Sequence, residues 1–142
     1  SISGLGTEAE VNALKSFGTN FGMTFQLIDD AIDYSSNKKI LGKNTGDDFK
    51  EGKITLPIIL AYGRSNDKEK KFWERTISDL NQNDGDFEMA LEIINKYQCI
   101  EDTLTRANHF SNVAVDSVDI FKDNIYKEKL VSLVSKSVSR IY

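Results

Sequence analysis

One cysteine (Cys99), one histidine (His109) and one proline (Pro57) occur in 142 residues. A lone cysteine excludes an internal disulfide framework, and a lone histidine makes a histidine-rich zinc site implausible. Any metal must then be held mainly by carboxylates. Average usage would place about seven prolines in a chain of this length, so long helices can run almost unbroken. Positive charge is in deficit too: 18 Lys+Arg face 22 Asp+Glu, the formal net charge is −4, and no basic run exceeds Lys70-Lys71. That balance argues against nucleic acid or an anionic membrane as the main partner. No apolar run approaches the roughly 20 residues that span a bilayer, and no basic stretch leads into an apolar one as in a secretory signal. The expectation is a soluble, cytoplasmic protein without a transmembrane segment. Residue 1 is Ser rather than Met, so the chain is also expected to start partway through a longer protein.

What is present is helical periodicity. Val11, Leu14, Phe17, Phe21, Phe25, Ile28 and Ile32 recur at three and four, predicting one amphipathic helix over 8–34 with Thr7 as N-cap and its apolar stripe centred on Phe25 and Ile32. Residues 35–53 hold Gly42, Gly46 and Gly52 with no sustained period, and read as a long loop, a feature that is usually functional. Pro57 near the start and Gly63 past the end predict a short buried helix over 56–62. Ser65-Asn66-Asp67 caps a third helix with Phe72 or Trp73, Ile77 and Leu80 inside. A polar turn over 81–86 precedes a fourth helix marked by Phe87, Ala90, Leu91 and Ile94. A fifth, over 101–121, places the small residues Ala107, Ser111 and Ala114 where a neighbouring helix can approach closely, and a last one covers 125–142. With no strand-like alternation, the class is all-α, a helical bundle in one domain over 1–142.

Between residues 29 and 53 lie six acids (Asp29, Asp30, Asp33, Asp47, Asp48, Glu51) and five lysines (Lys38, Lys39, Lys43, Lys50, Lys53). Density alone says little, since average composition gives about four acids and three bases there. Spacing says more: at about 100° per residue, Asp29, Asp30 and Asp33 point into one sector of the first helix, with Gln26, Gly22 and Gly18 on the turns before it. Asp is a poor interior helix former, and a helix C-terminus opposes negative charge. Two carboxylates about 6 Å apart at an effective dielectric of about 20 repel by roughly 3 kcal/mol. A hard dication removes that cost, and Mg²⁺ is usually held by one or two carboxylates together with substrate phosphates. Three aspartates in five residues also describe a solvated helix end, and an exposed lysine is most simply a surface charge. Lys43 after Gly42, and Lys53 just before the helix at Thr55, can nevertheless place ammonium groups on a phosphate.

The run FQLIDDAIDY over 25–34, followed by LGKNTGDDFKEGKITLP over 41–57, closely resembles the second aspartate-rich region of the trans-prenyl diphosphate synthases, most of all the bacterial octaprenyl branch that makes quinone side chains. The resemblance implies the all-α prenyl synthase fold, with two acidic motifs facing each other across an allylic diphosphate. It implies Asp29, Asp30 and Asp33 as Mg²⁺ ligands (Mn²⁺ as the alternative ion) with Asp48 as a further, often water-mediated, partner. Lys43 and Lys53 would contact the diphosphate, and Gln26 would line the same pocket. Metal and lysines then stabilise the departing diphosphate while isopentenyl diphosphate attacks the allylic cation and a proton is lost. The substrates implied are farnesyl diphosphate or a similar allylic diphosphate, and isopentenyl diphosphate; the intact enzyme is expected to be a homodimer.

The departures are as informative. No second D-D-x-x-D occurs, and the family's following arginine pair and its N-terminal basic residues have no counterpart. The expectation is the C-terminal half of a catalytic domain, inactive alone. A terpene cyclase of the same fold is disfavoured by the GK…EGK…TLP continuation. A non-catalytic subunit that binds and tunes a catalytic partner is the alternative of another class, and the clustered acids speak against it. Cys99, His109, Trp73 and Tyr97 are read as structural, and Arg140 as a weak candidate for covering the site.

Overall fold

The computed structural model of the protein describes residues 6–35 and 46–140. Seven α-helices and one π-helical turn make up the regular structure of these residues, with no strand among them: α1 (Glu8–Asp33), α2 (Asp47–Glu51), α3 (Leu56–Arg64), α4 (Asp67–Trp73) running into the π turn (Glu74–Ser78), α5 (Asp86–Lys96), α6 (Cys99–Ser117) and α7 (Ile125–Ser139). The chain divides into two compact units, one of residues up to Ile28 and from Thr105 onward, the other Asp29–Leu104.

In the first unit, α1 begins as Thr7 predicts: its hydroxyl accepts the Glu10 N–H at 3.1 Å and the Glu10 carboxylate accepts the Thr7 N–H at 3.3 Å, a reciprocal cap. Phe17, Ala114, Val118 and Val134 form the core, flanked by Phe21, Val115 and Leu130. The small residues of α6 do allow close approach: the Thr24 hydroxyl, fully buried, donates to the carbonyls of Asn20 (2.8 Å) and Ala107 (3.4 Å). This contact corrects the expected apolar stripe. The buried arc of α1 runs through Phe17, Thr24 and Ile28, about 100° round from Phe25, and Phe25 is left 45 % exposed. Its ring carries the Arg140 guanidinium at 4.2 Å, and Arg140 also donates to the Phe25 carbonyl at 3.2 Å.

In the second unit, Tyr34, Phe49, Ile58, Ala61, Trp73, Ile77, Ala90, Ile93, Ile94 and Cys99 form one core. Asn66 and Glu69 cap α4 reciprocally, each side chain accepting the other's N–H at 2.9 Å, and the Trp73 indole donates to Ser65 Oγ at 3.1 Å. Two expectations are corrected. The segment read as loop contains α2, which turns Phe49 into the core. The third helix widens into the π turn, so its inner face ends at Ile77; Leu80, expected inside, is 55 % exposed at φ 52°. The N–H of Asn81, returning to the Arg75 carbonyl at 2.9 Å, fixes that exit.

Tyr97 does more than pack: its hydroxyl donates to Glu69 at 2.5 Å, and Lys96 reaches the same carboxylate at 2.9 Å. The Tyr97 hydroxyl, then the Asn66 N–H and Lys96, hold the Glu69 carboxyl at about 2, below its ordinary 4.5. A depressed folded-state value contributes stability that is present above the ordinary value and lost as pH falls through the folded one. Glu69→Gln is therefore expected to lower Tm at neutral pH, with the two Tm curves converging as pH falls from about 4.5 toward about 2. A gap that is equal at every pH would contradict this.

Candidate functional site

The acid run closes α1. Asp29 is half-buried, Asp30 is 6 % exposed and Asp33 fully buried, so two of the three aspartates are drawn inward rather than solvated. The chain returns to this helix end at Gly46, whose N–H donates to the Asp33 carbonyl at 3.0 Å. Only glycine suits that return: φ is +92°, and an added Cβ would lie 3.1 Å from the Phe87 ring. The Asp33 carboxylate then accepts the Asp48 N–H through Oδ2 at 2.9 Å. At the far end of α2, Gly52 turns the chain at φ +67°, and the Lys53 N–H comes back to the Asp48 carbonyl at 2.9 Å.

Asp33, Asp48 and Lys53 are thus joined by consecutive hydrogen bonds, and the acidic helix end and the lysine-bearing turn form one structure. Gln82 supports it from outside, its amide donating to the carbonyls of Phe49 (2.7 Å) and Thr76 (2.9 Å). The Lys53 side chain is exposed. Gln26 is exposed on α1 in the first unit, and Lys43 lies outside the described residues.

Electrostatics and satisfaction point to the same place. Burial, followed by the charges of Asp33, Asp48 and Asp30, pushes the Tyr34 hydroxyl above its ordinary range. Asp48 Oδ2 is buried with no hydrogen-bond partner among the described residues, a costly state for a carboxylate oxygen. Such an oxygen fits a hard cation or its water. Among the described residues no group of three or more acids, histidines or cysteines converges as a self-sufficient cation site, so an ion here needs further oxygens.

The sequence shows Phe87 as a core marker of the fourth helix and Tyr34 as the end of the acidic motif, and gives no part in the site to either or to Gln82. Tyr34 was within reach, as the residue directly after the last acid on a buried helix end. Gln82 and Phe87 act through contacts remote in sequence, which no local pattern announces.

The helices and the acid-to-lysine connection define the all-α fold of the prenyl synthases. The chain belongs to the polyprenyl synthetase family, whose model matches residues 1–94. It is 37 % identical over 137 residues to the octaprenyl diphosphate synthase of Haemophilus influenzae, covering 96 % of this chain and 41 % of that protein. A crystal structure of a decaprenyl diphosphate synthase from Rhodobacter capsulatus superimposes with a TM-score of 0.92 at 35 % identity, over 99 % of this chain and 43 % of that one. A polyprenyl synthase from Caulobacter crescentus, complexed with calcium and isoprenyl diphosphate, gives 0.85 at 41 % identity, over 94 % and 41 % respectively. The chain therefore spans about two fifths of the length of these relatives. No described helix is long and apolar enough to cross a membrane.

Proposed function

We propose that this chain is the C-terminal, second-acidic-motif half of a trans-prenyltransferase that joins an allylic diphosphate such as farnesyl diphosphate to isopentenyl diphosphate. The observation that carries the reading is the hydrogen-bonded link from Asp33 through Asp48 to Lys53. It puts acids suited to a hard cation and a lysine suited to phosphate on one rigid turn. The relatives include octaprenyl and decaprenyl synthases; we assign this chain to the octaprenyl kind, serving quinone side chains in the cytoplasm as a homodimer.

Asp29, Asp30, Asp33 and Asp48 are the acids we assign to Mg²⁺ or Mn²⁺, not as one convergent cage but each sharing an ion with water and substrate oxygens; the ion when bound neutralises charge on the departing diphosphate. Lys53 and Lys43 bind the same diphosphate, and the motif resemblance assigns Gln26 to substrate. Asp33, anchored by the Asp48 N–H, keeps its carboxylate fixed while charge develops, so little reorganisation is needed during bond cleavage.

Incubated alone with farnesyl and isopentenyl diphosphates, the chain is expected to form no product. Joined by a co-expressed segment bearing the family's first acidic motif, it is expected to form polyprenyl diphosphate. Asp29→Ala should then cut turnover by about 100- to 1,000-fold, the scale of losing one preorganised charge-stabilising group. Product from the chain alone, abolished by Asp29→Ala, would overturn the half-site reading; turnover untouched by that change would overturn the role of the acids.

A further inference from the structure

Tyr34 is 1 % exposed, its ring packed beside Phe87 at 6.3 Å between centroids, yet its hydroxyl makes no hydrogen bond among the described residues. Packing alone would be served better by phenylalanine, because a buried hydroxyl that has left water without a new partner destabilises the fold. Asp48 Oδ2 is the complementary case, a buried acceptor with no donor. The Asp48 charge is one of three carboxylate charges that act on the Tyr34 oxygen. The first of those, Asp33, accepts the Asp48 N–H through Oδ2, and its Oδ1, also buried, is the rival acceptor for the Tyr34 hydroxyl; under that rival a double variant would lose more than Asp48→Ala alone. The donor lacking an acceptor directly follows Asp33 in sequence, and the acceptor lacking a donor belongs to the residue whose N–H the Asp33 carboxylate holds, so the two residues flank one hydrogen bond where α2 begins.

We propose that Tyr34 is a positioning residue of the half-site: in the loaded state its hydroxyl donates to Asp48 Oδ2 and fixes that carboxylate toward the bound metal diphosphate. The assignment rests on the half-site reading above. It gives the Tyr34 oxygen a use that the hydrogen bonds of the free chain do not supply. Asp48 holds Lys53 through its backbone carbonyl, so orienting Asp48 also steadies the turn that carries the lysine.

The test compares the 142-residue chain with Tyr34→Phe, Asp48→Ala and the double variant, by calorimetric titration with inorganic pyrophosphate in the presence of Mg²⁺ and by thermal melting without ligand. Tyr34→Phe is expected to melt at or above the temperature of the unaltered chain. Its Kd should rise about tenfold, the scale of one hydrogen bond to a charged group. The double variant should bind no more weakly than Asp48→Ala alone. Unchanged affinity in Tyr34→Phe, a further loss in the double variant, or a lowered melting temperature in Tyr34→Phe would each overturn the proposal while leaving the half-site intact. Failure of the unaltered chain to bind would instead overturn the half-site reading, and this proposal with it.

Discussion

Asp33→Ala is expected to lose folded stability and diphosphate binding together, whereas Asp29→Ala loses far more binding than stability. Asp33 is fully buried and its carboxylate is the acceptor for the Asp48 N–H at 2.9 Å. Removing it leaves that donor unpaired and unties α2 from the end of α1. A hydrogen bond to a charged group contributes about 1.5–3 kcal/mol, which sets the expected loss in a urea melt. Asp29 is half-buried, and its replacement should cost less in the melt than that of the fully buried Asp33. Asp33→Asn separates the two roles of residue 33: the amide oxygen can still accept the Asp48 N–H, so most of the stability should return while metal-dependent binding does not. Full recovery of binding in Asp33→Asn would show that residue 33 serves the fold alone.

Gly52→Ala should be the most damaging single methyl in the second unit. The backbone there sits at φ +67°, and the added Cβ would lie 2.5 Å from Leu80 Cδ2 and 2.9 Å from the Ile77 carbonyl oxygen. Leu80 is exposed and can rotate away; the carbonyl belongs to the π turn and cannot. The left-handed conformation costs an L-residue about 1–2 kcal/mol, and overpacking typically adds about 1–3 kcal/mol. A loss of about 2–5 kcal/mol is expected, with the Lys53 turn displaced and pyrophosphate binding weakened beyond what stability alone explains. Gly63→Ala supplies the contrast: nothing lies within 4 Å of its added Cβ, and an alanine inside α3 should stabilise by about 0.5–1 kcal/mol. Equal melts for the two variants would contradict the strain assigned to Gly52.

The sequence made the fold class and the acid–lysine pairing legible because both are written in local pattern. Three- and four-residue apolar spacing announces helices, the Thr7 and Asn66 caps mark two starts, and the motif spacing identifies the family. What it hid was set by tertiary partners. Phe25 looks like core by periodicity, but the Thr24 hydroxyl finds the Ala107 carbonyl and turns the buried arc away from it. Leu80 continues the apolar series of the third helix, but the π turn inserts its extra residue and turns Leu80 outward. The short α2 has too few residues to show a period; its sequence signs were acids in the first turn and glycine at the exit. The join between Asp33 and the Asp48 N–H lies between segments that the sequence shows only as neighbours in a motif, and with the Gly46 N–H on the Asp33 carbonyl it ties the two together.

The most direct test of the half-site is calorimetric titration of the chain with inorganic pyrophosphate, with and without Mg²⁺. The account predicts binding only when both are present, since the acids repel bare pyrophosphate and lack enough convergent oxygens to hold the ion by themselves, and it predicts loss of that binding in Asp29→Ala. Pyrophosphate binding that is indifferent to Mg²⁺ and to Asp29 would contradict it.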